Sequence, residues 1–487
     1  MLFEYRSRIR GDSDFVKITR LVFRLSLALS AKLFTFLLVF FPAYLLAADA
    51  GARTDVSLQQ KENSDPVIVQ GYFSGKFVSR TSRVAGEKIR DDDIFSDLRV
   101  DLSKPRTNGY EFHFFGTLRD DLSNNRNRTT FSPFEDIGDT YRSQVHGYLY
   151  EAHLDLNQPI AGVNQLRIGR QNGTREEPLF FDGIAADIIL AQKLSMTMYG
   201  GAAVHFYEID NRWGDDTLAG AGLDYFPLTG TAVSMDYLYV TDKRNFFDMT
   251  TQRDQLVSFK LSQRFSPNLR GTAKVRYVNG DPRDLKLGVS VTVPESDFEV
   301  TMGYVRQFRT QNELSNELSA FYDVLGQSFP YQSYDVRVRK LFGRHVAIDL
   351  GYFERSLIHS QEENAFNRAF RRTYAVLELI DLFIDRLVFS LTGEQWQSGQ
   401  RRFDSGGFDV SYAFKPGRRS PKMSAGSYYS LYKYDYYISL GERTRVRTYY
   451  VKADYPFAQR YAASGSYEFE RGLEDYQTIK LGIRYDF

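Results

Sequence analysis

Apolar and polar residues alternate with a period of two along most of this chain. Near the end, Ile479, Leu481, Ile483, Tyr485 and Phe487 take every second position, and Thr478, Lys480, Gly482, Arg484 and Asp486 lie between them. A strand has that side-chain period, so such a segment separates two environments cleanly. The pattern recurs upstream. Leu285, Leu287, Val289, Val291 and Val293 oppose Lys286, Ser290 and Thr292. Val257, Phe259 and Leu261 oppose Ser258, Lys260 and Ser262, and Leu98, Val100 and Leu102 oppose Asp97, Arg99 and Asp101. Counted this way, the chain predicts about 22 strands between residues 67 and 487. Among them are 67–80, 93–103, 184–190, 284–293, 422–435 and 444–455; alternation is weakest over 184–190 and 422–455, where Gly and Tyr interrupt it as bulges would.

The predicted connections also alternate. Short ones such as Pro227-Leu228-Thr229, Ser266-Pro267-Asn268 and Pro294-Glu295-Ser296 exchange with long ones over 121–143, 241–253, 309–331 and 357–371. Short turns on one side and long loops on the other belong to membrane barrels. An even strand number places both ends on the short-turn side. A water-soluble sandwich would alternate too, with the oil inward. In a barrel the faces invert, apolar positions meeting lipid and charged ones meeting water inside.

Composition narrows the choice. The chain has 33 Tyr and 39 Phe against 2 Trp, a density that suits strands and interfacial aromatic girdles. Mean hydropathy is −0.40, which argues against a helical membrane protein but not against a barrel, whose strands expose alternate residues to lipid. With no Cys there is no disulfide framework, no thiolate-bound zinc or iron–sulfur centre and no covalent c-type haem. Lys and Arg number 62 against 61 Asp and Glu, which gives no case for a nucleic-acid partner. The N-terminus predicts export. Basic residues from Arg6 to Lys32 precede an apolar run, Leu33 to Ala48, and Ala48-Asp49-Ala50 is an A-x-A cleavage site. The run is shorter than the roughly 20 residues a spanning helix needs. The expected organisation is a cleaved signal peptide over 1–50, a periplasmic tether over 51–66 and a barrel over 67–487. That leaves no stretch for a plug domain.

The terminal Leu481-Gly482-Ile483-Arg484-Tyr485-Asp486-Phe487 resembles the closing strand of Gram-negative outer-membrane β-barrels. The resemblance implies a place in the outer membrane of a Gram-negative bacterium. It also implies that Tyr485 and Phe487 form an insertion signal read by the barrel-assembly machinery, with outer-membrane lipid around the finished barrel. The expected fold is therefore all-β: a closed antiparallel transmembrane β-barrel of about 22 strands, with bounds of about 18 to 24, and no plug domain. A shorter stretch, Gln165-Leu166-Arg167-Ile168-Gly169-Arg170-Gln171, resembles the strand-end Gly-Arg-Gln of porin-like and polysaccharide-export barrels. By parity Arg170 would face lipid, so it is expected at the rim or beside a bulge at Gly169.

Candidate chemistry falls mainly on the inner face. Strands two to four direct an acidic arc inward, Asp97, Asp101, Glu111, Glu151 and Asp155, together with Arg99, Arg119, His113 and His153. Strands ten to fourteen direct a basic arc inward: Lys260, Arg264, Arg270, Lys274, Arg276, Lys286, Arg337 and Arg339. Opposed arcs would set a field across the bore, though wet charges that simply pair with neighbours give the same list. Leu314, Leu318, Phe321, Tyr322 and Leu325 have the spacing of a short amphipathic helix, expected either as a constriction loop folded into the lumen or as a cap on the rim. Segment 121–143, with Asn124 to Arg128, is expected to be external. His113 and His153 on neighbouring strands could hold a metal ion, but pairing with adjacent carboxylates is the expected role, so no metal, cofactor or catalytic residue is assigned. No G-x-S-x-G, P-loop or zincin motif is present.

These features predict a passive channel for polar solutes through a charged, water-filled lumen, working without a cofactor and not an enzyme. An alternative is a scaffold barrel that sheathes a partner in its lumen, such as a multihaem cytochrome or a periplasmic export component. A hydrolase with its site at the rim ranks third.

Overall fold

The computed structural model describes residues 67–487 apart from 85, 105–108, 124–133, 135–143, 174, 176–178, 205–215, 244–250, 311–328, 360–367, 400, 418, 431–432, 435–441, 444–445 and 473–474. The expected signal peptide and tether lie outside the described residues, as do all five apolar residues of the expected constriction loop, Leu314, Leu318, Phe321, Tyr322 and Leu325.

Twenty-two strands form one sheet closed on itself. They are β1 (Ile68–Val84), β2 (Glu87–Lys104), β3 (Tyr110–Asp121), β4 (Val145–Asn157), β5 (Val163–Asn172), β6 (Phe180–Ala191), β7 (Leu194–Val204), β8 (Thr217–Tyr225), β9 (Thr231–Lys243), β10 (Thr251–Ser266) and β11 (Leu269–Val278) in the first half. The second half holds β12 (Asp281–Val293), β13 (Phe298–Gln307), β14 (Tyr331–Phe342), β15 (Val346–Leu357), β16 (Phe370–Ile380), β17 (Leu387–Ser398), β18 (Arg401–Ala413), β19 (Lys422–Ser430), β20 (Val446–Ala458), β21 (Tyr461–Arg471) and β22 (Tyr476–Asp486). Each strand pairs antiparallel with its neighbours in sequence. The seam joins β1 to β22, with Tyr72 opposite Asp486 and Ser82 opposite Tyr476. Closure leaves no unpaired edge, the condition for crossing hydrocarbon with strands.

The alternation thus locates every barrel strand, and the differences lie at the ends. β1 and β2 run to 17 and 18 residues and meet in a tight turn, where a looser connection over 81–92 is expected. The extra length is paved with charge. Arg80 is ion-paired with Asp91 at 2.9 Å and with Asp93, and Arg119 of β3 reaches Asp93 at 2.9 Å. All of these face the interior, so the apolar alternation is broken in this stretch even though it is strand. β12 begins at Asp281 instead of 284 after a two-residue Asn279-Gly280 turn, both at positive φ. Pro282, which cannot donate to a ladder, sits where the β11–β12 register shifts. Toward the end, β19 is shorter than expected, and a separate two-residue ladder, Lys433–Tyr434 with Glu442–Arg443, lies in its connection to β20.

The register fixes which face is which. Ile479, Leu481 and Ile483 are 42–53% exposed, and their cross-strand partners on β1 are Ser79, Phe77 and Gly75. Around the wall the same outward rows carry Ile184, Met198, Leu223, Met235, Phe259, Leu287, Met302, Leu350, Leu391, Phe408 and Val451, all exposed. An apolar belt encircling the molecule has no place in water and is the hydrocarbon-facing surface of a transmembrane barrel. At the short-turn end the belt finishes in exposed aromatics: Tyr225, Phe226, Phe265, Phe342, Phe383, Phe414, Tyr455 and Phe457. Such rings suit the headgroup interface.

Candidate functional site: the lumen wall

The inner face carries the polar chemistry, and every predicted arc residue lies on it by register. In the acidic arc, Asp97 accepts hydrogen bonds from Ser74 Oγ (3.0 Å) and Thr117 Oγ1 (2.8 Å). Asp101 is met by Arg99 Nε at 3.0 Å and by His113 Nδ1 at 2.7 Å. Asp155 is almost fully buried and receives Arg167 through both Nε (2.7 Å) and Nη2 (2.8 Å), with Gln165 Nε2 at 2.9 Å. Glu111 stands opposite Asp155, and Glu151 opposite Phe115. Much of this arc's negative charge is therefore neutralised locally by Arg99 and Arg167, which weakens the transverse field that the segregated sequence suggests.

The basic arc divides into two kinds of residue. Three of its arginines have carboxylate partners: Arg276 is paired with Asp284, Arg337 with Asp349, and Arg339 with Glu378 at 3.0 Å. The others face one another. Lys260 of β10 stands directly opposite Lys274 of β11, which stands directly opposite Lys286 of β12. Arg264 is opposite Arg270, whose Nε donates to Ser262 Oγ at 3.2 Å. Among the described residues, neither Lys260 nor Lys286 makes an ion pair. Directly opposed cross-strand side chains lie about 4.5–5.5 Å apart at Cβ, and like charges so placed are destabilising.

Three features of the lumen escape strand periodicity. Arg175 lies between β5 and β6, yet its guanidinium reaches Asp224 Oδ1 (2.6 Å) on β8 and Asp236 Oδ1 (2.8 Å) on β9, with Thr197 Oγ1 at 3.4 Å from Nη1. Both carboxylates belong to inward rows, so the Arg175 side chain is directed into the barrel. Phe134, in the segment expected to be external, is buried against Ile89 of β2 and Tyr476 of β22, with an edge-on contact to the tyrosine ring at 5.6 Å. At that residue the expectation is corrected: an aromatic ring in a largely polar run finds apolar cover on the inner wall, where burial stabilises it. The third is a bulge at Tyr150, where the β3–β4 register shifts between Phe115 and Gly116, and the extra ring stacks on Phe115 at 5.2 Å.

The two resemblances also have positions. Tyr485 lies on the outward row against Tyr461 (ring centroids 4.7 Å apart), and Phe487 adds a final pair of backbone hydrogen bonds to the seam. Arg170 is on the outward side two residues from the end of β5, held by Asp182 through Nε and Nη2, both at 2.7 Å. Gly169 before it has φ 124°. A Cβ there would collide with the Ala152 carbonyl and stand 2.9 Å from His153 Cα. Only glycine allows β5 so close to β4 at this point.

Known structures share the outline at low identity. The translocation pore of the P pilus usher PapC is 11% identical, with a TM-score of 0.47, covering 85% of this chain and 99% of its own. Acinetobacter baumannii OccAB4 is 10% identical at 0.40, covering 88% and 100%. Pseudomonas aeruginosa OpdQ is 11% identical at 0.38, covering 86% and 97%. No family model and no curated protein matches.

Proposed function

We propose that this protein is an outer-membrane channel of a Gram-negative bacterium that passes small polar solutes down their gradients and favours anions. The observation that carries this reading is the row Lys260–Lys274–Lys286. Three ammonium groups set side by side on a lumen wall cost stability. That cost has a use where a passing anion supplies counter-charge to Lys260 and Lys286, which make no ion pair among the described residues. The nearby Arg264 and Arg270 extend the row toward the short-turn mouth. Rings or rows of basic side chains select anions in pores by this means. Passage of this kind needs no cofactor and no catalytic group.

Recordings from the purified barrel in planar bilayers test the proposal. Under a potassium chloride gradient the reversal potential should show anion preference, and Lys260→Glu with Lys286→Glu should reverse it. Because exposed charge acts over about 10 Å at 0.1 M salt and about 3 Å at 1 M, the preference should shrink as salt rises. A conducting barrel with no anion preference would reject the selectivity. A barrel that never conducts but retains a periplasmic protein would replace the channel by the sheathing role.

A further inference from the structure

The strongest unassigned chemistry lies on the wall between β3 and β5. His113 and His153 are direct cross-strand partners, their ring centroids 4.9 Å apart at an interplanar angle of 31°. Asp155 lies near Nε2 of both rings. Its two oxygens stand 3.9 Å from His113 Nε2 and 3.9 Å from His153 Nε2, and Glu111 Oε2 is 3.6 Å from His113 Nε2. One ligand atom each from His113, His153 and Asp155 fall within 4.8 Å of one another.

These separations are too long for hydrogen bonds. They approach the spacing of donors around a shared ion. With bonds of about 2.0–2.2 Å to nitrogen and oxygen, neighbouring donors in a tetrahedron lie roughly 3.3–3.6 Å apart. The contacts to Asp155 therefore need to close by a few tenths of an ångström, and the widest donor separation, which is within 4.8 Å, by about one ångström, a shift within reach of side-chain rotation.

The outer contacts of the two rings point the same way. His113 Nδ1 is 2.7 Å from Asp101 Oδ1, and His153 Nδ1 is 3.2 Å from the Arg170 carbonyl oxygen. Both partners accept, so each neutral ring carries its proton on Nδ1 and turns the lone pair of Nε2 toward Asp155. A carboxylate or carbonyl behind a ligating histidine is the usual support of a metal site. Asp155 is held in turn by Arg167 and Gln165, so its position is fixed before any ion arrives. The close approach at Gly169, opposite His153, brings the Arg170 carbonyl into reach.

We propose that His113 Nε2, His153 Nε2 and the Asp155 carboxylate bind a divalent transition-metal ion of the zinc class on the lumen wall, with Glu111 as a fourth donor. Two imidazoles and carboxylate without thiolate suit Zn(II), Ni(II) or Cu(II) over Mg(II) or Ca(II). His153 and Asp155 are buried in the wall, whereas the His113 and Glu111 side chains are 21% and 36% exposed to the lumen. An ion can therefore enter from the pore. The Arg167 guanidinium on Asp155 offsets part of the ligand charge, which favours a site that takes up and releases its ion over a permanently filled one.

Zinc chloride titrated calorimetrically into the folded full barrel in detergent tests this. One equivalent should bind. His113→Gln, His153→Gln and Asp155→Asn should each weaken binding at least tenfold, and Asp101→Ala, which removes the support of His113 along with the partner of Arg99 but no ligand, should cost about tenfold. His345→Gln, at a turn far along the chain, should change nothing. Heat-modifiable migration on a gel establishes that each variant is folded. Substituting cobalt, the wild type should show the visible absorption of a tetrahedral site, and the ligand variants should lack it. Absence of zinc binding by the wild type, or unchanged binding and cobalt spectrum in folded His113→Gln and His153→Gln, would overturn the assignment.

Discussion

Phe487 and Gly71 are hydrogen-bonded to each other in both directions. The Phe487 N–H donates to the Gly71 carbonyl at 3.0 Å, and the Gly71 N–H donates to the Phe487 carbonyl at 3.1 Å. The last aromatic residue thus completes the seam, and its ring lies over the position where a Gly71 side chain would stand. A Cβ at Gly71 would collide with the Arg99 carbonyl oxygen and lie 2.7 Å from the Phe487 ring. Glycine at this point lets β1 seat the terminal residue and β2 together.

Gly71→Val should therefore loosen closure. Overpacking of this kind costs about 1–3 kcal/mol. The variant should lose heat-modifiable migration at a lower temperature than the wild type, and Phe487→Ala should relieve part of the defect in the double variant. Equal melting of Gly71→Val and wild type would show that the seam has slack at this residue.

The inversion of faces has its own test. Leu287 is 43% exposed and lies near the middle of β12 on an outward row. Ser290, on the opposite face, stands across from Arg270 and Thr301. Leu287→Arg should destabilise the barrel in lipid by about 2–4 kcal/mol, whereas Ser290→Arg should cost much less because its new charge meets water. Urea unfolding of both variants in vesicles measures the difference. The reverse order of stability would turn the molecule inside out.

Much of this architecture is legible in the sequence because lipid and water impose a strict period of two on every spanning strand. Leu285 to Val293 and Ile479 to Phe487 announce strand and face together. Legibility fails where both faces are wet or where a residue answers to partners far along the chain. The ends of β1 and β2 look like loop because Arg80, Asp91 and Asp93 supply pairing instead of oil. The lysine row can be listed from sequence, but which cation meets a carboxylate is decided by register: Arg276 has Asp284 across from it, and Lys286 has Lys274 on one side and Val305 on the other. His113 and His153 can be placed on one face by parity. The His153 Nδ1 contact that aims its lone pair goes to the Arg170 carbonyl beside the positive φ of Gly169, which the alternation does not specify.

Phe134 should contribute to holding its segment against the inner wall. The ring is 8% exposed, packed on Ile89 and edge-on to Tyr476. Phe134→Ala removes that apolar contact at a cost of about 3 kcal/mol in a well-packed site. Single-channel current should rise or become noisier as the anchored segment leaves the wall, and Tyr476→Ala should give the same change. If both variants conduct as the wild type does, the contact is incidental to the pore.

Arg175 offers the sharpest test of what narrows the lumen. It joins the β5–β6 connection to carboxylates on two further strands, Asp224 and the buried Asp236. Removing the guanidinium by Arg175→Ala leaves both carboxylates without this cation, widens the path beside β8 and makes the wall there more negative. Conductance should increase, and anion preference should fall by an amount that diminishes in high salt. Stability should drop by about 1–3 kcal/mol, the usual consequence of removing one partner from charge-assisted bonds that are partly buried. Arg175→Lys separates geometry from charge, since a single ammonium cannot reproduce the fork that bonds Asp224 and Asp236 at once. If the forked contact holds the connection inside the barrel, the lysine variant should resemble alanine in conductance while keeping most of the anion preference. If it resembles the wild type in both, charge alone suffices and the geometry of the clamp is not what sets the bore.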